Sequence, residues 1–187
     1  MGYSRAQKKD NHKKIVAIAA KRFREQGLDG LSVAAIMKEA GLTHGGFYSH
    51  FKSRDDMVAQ ALAHAFTEDE ERLLRAMKRR GGPSLEAFLS IYLSPAHRDT
   101  PGQGCTLAAV ACEAARKDAD IKALFTDRVA GYSERLAPEL GVTPDQMVAV
   151  LSAAAGALVL SRSVSSEAMS DNILGATRRE LLATIRP

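Results

Sequence analysis

Helical periodicity runs through almost the whole chain and is interrupted only by glycine, proline and short polar caps. Alanine, leucine, arginine and glutamate, all good helix formers, are abundant, and no segment alternates polar and apolar residues as a half-buried strand would. An all-α fold is therefore expected. The chain has 187 residues, 45% of them hydrophobic, which is enough for a real core in one or two domains.

Residues 1–10 are polar and basic and read as a flexible arm. A first helix is expected from about Asn11 to Gln26, with Ile15, Val16, Ala19, Ala20 and Phe23 on one face and Gly27 as its stop. After the short connection Leu28 to Leu31, Ser32 caps a second helix carrying Val33, Ile36, Met37 and Ala40 at helical spacing. Gly41 ends it, and Thr43 caps a third, short helix with Phe47 and Phe51 on one face. Ser53 then caps a long helix to about Arg80, with Asp55 and Asp56 in its first turn. Beyond Gly81-Gly82-Pro83, further helices are expected at about 84–93, 105–116, 118–137, 144–164 and 170–185, with 95–104 as a loop.

Two capped helices around a tight glycine turn, from Ser32 to Phe51, fit a helix-turn-helix. Val33, Ile36, Met37, Leu42, Phe47 and Phe51 can form one small core with the first helix. That leaves Thr43, His44, Gly45, Gly46, Tyr48 and His50 for the outer face of the third helix, which is slim enough to enter a major groove. Charge agrees. Residues 1–54 hold 11 Lys/Arg against 4 Asp/Glu, whereas residues 55–187 hold 15 against 18, so the basic character belongs to the N-terminal part. A segregated basic segment suits a polyanion, nucleic acid before acidic lipid, although a solvated face reads the same way. Tyr48 can instead be half-buried core, and His50, near the helix end, fits a structural role better than a base-reading one. Lys13, Lys14 and Lys21 add diffuse attraction.

Other functional classes find little support. The N-terminus lacks the apolar stretch of a signal peptide and no run of 18 apolar residues exists, so a cytoplasmic protein without a membrane partner is expected. Cys105 and Cys112, seven residues apart on one helix, stand roughly 10.5 Å apart. That exceeds the roughly 7 Å limit for a disulfide. No cysteine or histidine spacing forms a metal site, and no cofactor is expected. His97 precedes Cys105 by eight residues, but a third orienting group and a nucleophile elbow are missing, so no enzyme is expected.

The segment Gly41-Leu42-Thr43-His44-Gly45-Gly46-Phe47-Tyr48-Ser49-His50-Phe51-Lys52-Ser53-Arg54-Asp55-Asp56-Met57 resembles the recognition helix and following turn of TetR/AcrR-type repressors. The resemblance reaches back through Ala19 to Gly27 and Leu31-Ser32-Val33. It implies a helix-turn-helix domain over residues 11–57, joined to a helical effector-binding and dimerisation domain over 58–187. It implies that Thr43, Tyr48 and Lys52 meet the backbone of double-stranded operator DNA, that His44, Gly45 and Gly46 lie nearest the base edges, and that Ser32 and His50 belong to the same DNA-binding set. Many relatives carry a small hydroxyl or alanine at the position of Gly46, and glycine offers no side chain for readout there.

For the C-terminal part the resemblance implies a homodimer through a four-helix bundle. Val148, Leu151, Ala155, Leu158 and Val159 on one helix, and Ile173, Leu174, Leu181, Leu182 and Ile185 on the next, are the candidates; intramolecular core is the other reading of these stripes. It also implies an effector cavity, with Phe66, Phe88, Tyr92, Cys112, Phe125 and Tyr132 as candidate lining, although each fits ordinary core equally well. Cys105, at a helix N-terminus after a glycine-rich loop, is a candidate redox-sensing thiol. The expected function is a repressor released from a palindromic operator by a small molecule. The alternatives are a dimeric DNA-binding regulator without ligand and a cysteine-based redox sensor.

Overall fold

The structure is a computed structural model and describes residues 4–30 and 32–185. Leu31, the first three residues of the expected arm and the last two of the expected C-terminal domain lie outside the described residues. Among the described residues there is no strand.

Ten α-helices follow one another: α1 (Arg5–Gln26), α2 (Val33–Glu39), α3 (Arg54–Lys78), α4 (Leu85–Tyr92), α5 (Pro95–Asp99), α6 (Thr106–Ala114), α7 (Ala119–Gly131), α8 (Ala137–Leu140), α9 (Pro144–Ser163) and α10 (Glu167–Thr184). A 3-10 helix, His44–Ser49, stands between α2 and α3. The small N-terminal head, built from α1, α2 and the 3-10 helix, rests on α3, and α4 to α10 form the body around the rest of α3. Their buried residues make one continuous core.

Serine and threonine caps start most of these helices. The hydroxyls of Ser32, Ser53, Ser84, Ser94 and Ser166 each accept the N–H three residues on, satisfying a donor the helix cannot. Thr143 and Gln146 cap α9 reciprocally. At the end of α2, Gly41 takes φ +77°; its N–H bonds Lys38 O, and the N–H of Leu42 reaches back to Met37 O. This left-handed stop turns the chain sharply into the next helix.

Four expectations need correction. Residues 5–10 are helical: Ser4 caps α1, accepting from Gln7 N at 3.2 Å, so the described part of the arm is the first turns of α1. The stretch 95–104 is not a bare loop but holds α5 and the 3-10 turn Pro101–Gln103. The helix expected over 118–137 does not run evenly; a π-turn at Tyr132–Leu136 separates α7 from α8. Pro138 lacks an N–H and crowds the carbonyl four residues back, so the chain widens there and Ala137 N bonds Tyr132 O instead. Finally, α9 does have the length and apolarity of a membrane span, but Met147, Val150, Leu151, Ala154, Ala157 and Leu158 are buried and make it a core helix of the body.

Head and body are tied by a buried ion cluster. Arg24 of α1, 5% exposed, donates from Nε to Gly102 O (2.9 Å), from Nη1 to Asp69 Oδ1 (3.2 Å) and from Nη2 to Glu68 Oε2 (2.9 Å). Asp69 also accepts from Arg72 and from the backbone N–H of Thr106 at the start of α6. A second tie holds the end of α1, where Glu113 Oε2 accepts Leu28 N–H at 2.8 Å and Asp29 N–H at 3.3 Å. Gly27 has φ +81°, and a Cβ there would come within 2.5 Å of Glu113 Oε1. Only glycine permits both the turn and the approach.

Candidate nucleic-acid interface and ligand cavity

The 3-10 helix owes its form to its sequence. Gly45 and Gly46 disfavour a regular α-helix, so the chain takes the tighter turn from Thr43 O onward. Thr43 occupies the cap position with extended backbone, but its hydroxyl makes no cap bond, contrary to the expected cap, and stays exposed. Phe47 and Phe51 point inward and stack at 5.3 Å, locking the helix onto the head's core.

Tyr48 points the other way. Its side chain is 74% exposed, held edge-on against Phe47 at 5.3 Å. Half-buried core is therefore excluded for Tyr48. Ser32, Thr43, His44, Gly45 and Lys52 are exposed with it, and a Cβ on Gly45 would meet nothing within 4 Å. Lys52 makes no ion pair among the described residues; its backbone N–H bonds Asp56, which sets the start of α3.

His50 is different. It is half-buried, 6.1 Å from the His12 ring, and its Nδ1 is buried without a partner among the described residues. Burial, His12 and Lys8 pull its pKa down and hold the ring neutral. His12 itself stacks on Phe51 at 4.7 Å and bonds Gln60 at 2.9 Å. Sequence reasoning missed the groove beside this pair, where Arg5, Lys8 and Lys9 of α1 face Ser49 and His50. The signal was available: Arg5, Lys8, Lys9 and His12 repeat at helical spacing, but the first three were assigned to an arm.

In the body, a cavity of about 390 Å³ lies between α3 and the segment from α4 to the start of α6. Tyr92 and Tyr132, two of the six candidate lining residues, are among its walls. The other four expected residues do not: Phe88 is core behind Tyr92 at 5.4 Å, Phe66 and Phe125 pair edge-to-face at 5.1 Å elsewhere, and Cys112 is exposed. Instead one face of α3 supplies Asp69, Arg72, Leu73 and Ala76, opposite His97 and Cys105.

His97 uses both ring nitrogens, donating from Nδ1 to Tyr92 O (2.7 Å) and accepting Cys105 N–H at Nε2 (2.9 Å). The tautomer follows from those two backbone partners. Burial lowers its pKa to about 4, so the ring is neutral at pH 7. The Cys105 thiol is fully enclosed, and burial followed by the nearby Asp69 carboxylate raises its pKa. Burial thus disfavours the thiolate expected at the N-terminus of α6.

The apolar stripes of α9 and α10 divide. Leu151, Leu158 and Leu174, expected at a dimer surface, are buried within the protomer. Val148 and Val159 are exposed and Ala155 half-exposed on the outer face of α9, while Ile173, Leu181, Leu182 and Ile185 are half-buried. Leu160, 58% exposed, and Met169 extend the apolar surface beyond the residues named from sequence. On that face Ser152 and Ser163 turn their hydroxyls back to Val148 O and Val159 O, which leaves little polarity outward.

A short aromatic-anchored helix presented beside a second capped helix, on a helical body with its own cavity, is a helix-turn-helix arrangement. Residues 15–61 match the "Bacterial regulatory proteins, tetR family". The head of this chain is thus similar to the N-terminal domain of that family. An HTH-type transcriptional regulator of Staphylococcus aureus is 41% identical over 49 residues, 26% of this chain and 26% of that protein; the match thus spans about a quarter of that relative. Solved structures extend the likeness of fold to the whole chain. The reduced form of NemR from E. coli superposes with a TM-score of 0.78 at 17% identity, covering 95% of this chain and 97% of that one. A TetR transcriptional regulator from Chloroflexus aurantiacus gives 0.78 at 20% identity, covering 97% and 98%.

Proposed function

We propose that this chain is a cytoplasmic, homodimeric transcriptional repressor that grips a palindromic double-stranded operator through its head and is released by a small molecule bound in its body. One observation carries the DNA reading: Tyr48 stands 74% exposed on a helix whose other face is locked into the core. An exposed aromatic anchored this firmly, with Thr43 and Lys52 beside it, suits a phosphate backbone. His44 and the bare Gly45 and Gly46 then lie nearest the base edges, so direct readout rests on few side chains. Ser32 and the half-buried His50 support the contact from either end.

The exposed apolar face of α9, with Val148, Ala155 and Val159, supports pairing with a second copy, together with Ile173, Leu181 and Leu182 of α10. Two heads at a fixed separation match two half-sites one helical turn apart. The cavity favours an effector over a ligand-free regulator, because Asp69 both lines it and holds Arg24 of α1. A ligand that binds one arrangement of this cluster better than the other shifts the population of head positions.

The test is fluorescence anisotropy with an operator duplex across a salt series. Lys52→Ala is expected to weaken binding to every duplex and to reduce the slope of log K against log salt by about 0.9. An unchanged slope removes Lys52 from the phosphate contacts, and failure of the unmodified protein to bind any selected duplex at low salt removes the DNA reading itself.

A further inference from the structure

Two buried tyrosines, Tyr92 and Tyr132, contribute to the lining of the body cavity. The Tyr92 hydroxyl is buried and has no hydrogen-bond partner of good geometry among the described residues. Its polar neighbour is the Cys105 thiol, whose sulfur is only a weak acceptor. A buried hydroxyl left this way is costly, and native structures rarely keep one without a reason. Tyr132 is buried in the same wall; its oxygen accepts from Arg128 Nη2 at 3.1 Å, which leaves its own hydrogen free to donate. Two of the other polar groups nearby are already committed. His97 has a backbone partner on each nitrogen, and Asp69 is filled by Arg24, Arg72 and Thr106 N–H.

We propose that this cavity takes a small, mostly apolar molecule carrying an uncharged carbonyl oxygen, which accepts hydrogen bonds from Tyr92 and Tyr132. The inference rests on the effector reading of the same site and names the ligand's chemical class. Two neutral O–H donors suit an uncharged carbonyl, and Arg72, a cation on the same wall, is engaged by Asp69. The exposed Arg79 and Arg80 stand only at the rim. Leu73, Ala76 and Ile91 supply the apolar wall. At about 390 Å³ the cavity is at the small end of the roughly 300–1,000 Å³ found for ligand pockets. The enclosed Cys105 thiol is held protonated, so the contact is non-covalent.

The experiment titrates the full chain, without DNA, with three probes of similar shape: acetophenone, ethylbenzene and benzoate, followed by protein NMR. Acetophenone is expected to bind about 25-fold more tightly than ethylbenzene, the worth of two ordinary hydrogen bonds, and more tightly than benzoate. Tyr92→Phe removes only a hydroxyl without a strong partner, and is expected to reduce the preference for acetophenone over ethylbenzene to about fivefold. Tyr132→Phe, checked for folding by circular dichroism, is the second variant and is expected to narrow the same preference. Equal binding of ethylbenzene, tighter binding of benzoate, a preference unmoved in both variants, or no binding of any probe overturns the assignment. Ketone binding that leaves operator affinity unchanged would instead keep the site and remove the effector reading.

Discussion

Head and body solve the same packing problem in opposite ways. In the head a few large residues suffice, and Phe23, Phe47, Phe51, Ile36 and Met37 close a core so small that each residue has one possible side. Every side chain that points outward is then available for contact, and Tyr48 and Lys52 are. In the body, α9 is apolar around much of its circumference, and α3 carries charges on a face that turns out to be inside. Small cores make orientation legible; large ones hide it.

The sharpest way to break this contrast uses neighbours in sequence. Phe47→Ala is expected to lower stability by about 3–5 kcal/mol, the range for losing a buried aromatic. Tyr48→Ala should leave stability within about 0.5 kcal/mol, as for an exposed site, while abolishing most operator affinity. Urea unfolding and anisotropy on the same two variants decide it, and similar stability losses would show that the head has no free face.

The boundary between the two regions gives the next effect. Replacing Arg24 by alanine leaves Asp69 buried with fewer partners, and removing one member of a buried pair costs about 3–5 kcal/mol. Because Arg24 also holds Gly102, hydrogen exchange should rise together at α1 and at the start of α6. Exchange that rises in α1 alone would mean that head and body are coupled elsewhere.

The body has its own signature in pH. The folded-state pKa of His97 lies near 4, below the ordinary 6.5, so the unfolded chain binds more protons between these values. Stability contributed by the neutral ring is full above pH 6.5 and is lost as pH falls toward 4, an effect of about 3 kcal/mol. The charged groups facing His97, Arg162 and Arg72, act in the same direction. His97→Gln should flatten the unfolding free energy across that window, and a slope equal to that of the unmodified chain would place the titration on another group.

The same contrast explains what could be read from the sequence. Ser32, Gly41 and Ser53 act locally, through bonds that span three to five residues, so the helix boundaries of the head follow from the order of residues. The exposed Tyr48 follows from the inward Phe47 beside it. The cavity does not follow in this way. Phe66, Phe88 and Phe125 have the residue types of a ligand wall, but each found an aromatic partner or the core, and residue type says nothing of which side a helix turns. Asp69 was invisible as a cavity residue because its neutralising partner, Arg24, lies 45 positions away on another helix. Leu151, Leu158 and Leu174 were misplaced for the matching reason: a stripe that can bury against its own chain or against a copy looks the same in one dimension.

The clasp of Glu113 on Leu28 and Asp29 bears on the making of hybrid regulators. A chimaera that carries residues 5–51 onto a foreign body also leaves behind the carboxylate that holds the exit of α1, together with Lys117, which pairs with Asp29 at 2.5 Å. The seam of this molecule is therefore not a point in the chain but a surface shared by α1 and α6. A head exchanged among relatives keeps its angle only if the acceptor body offers a carboxylate at the position of Glu113 and the donor head a glycine at that of Gly27.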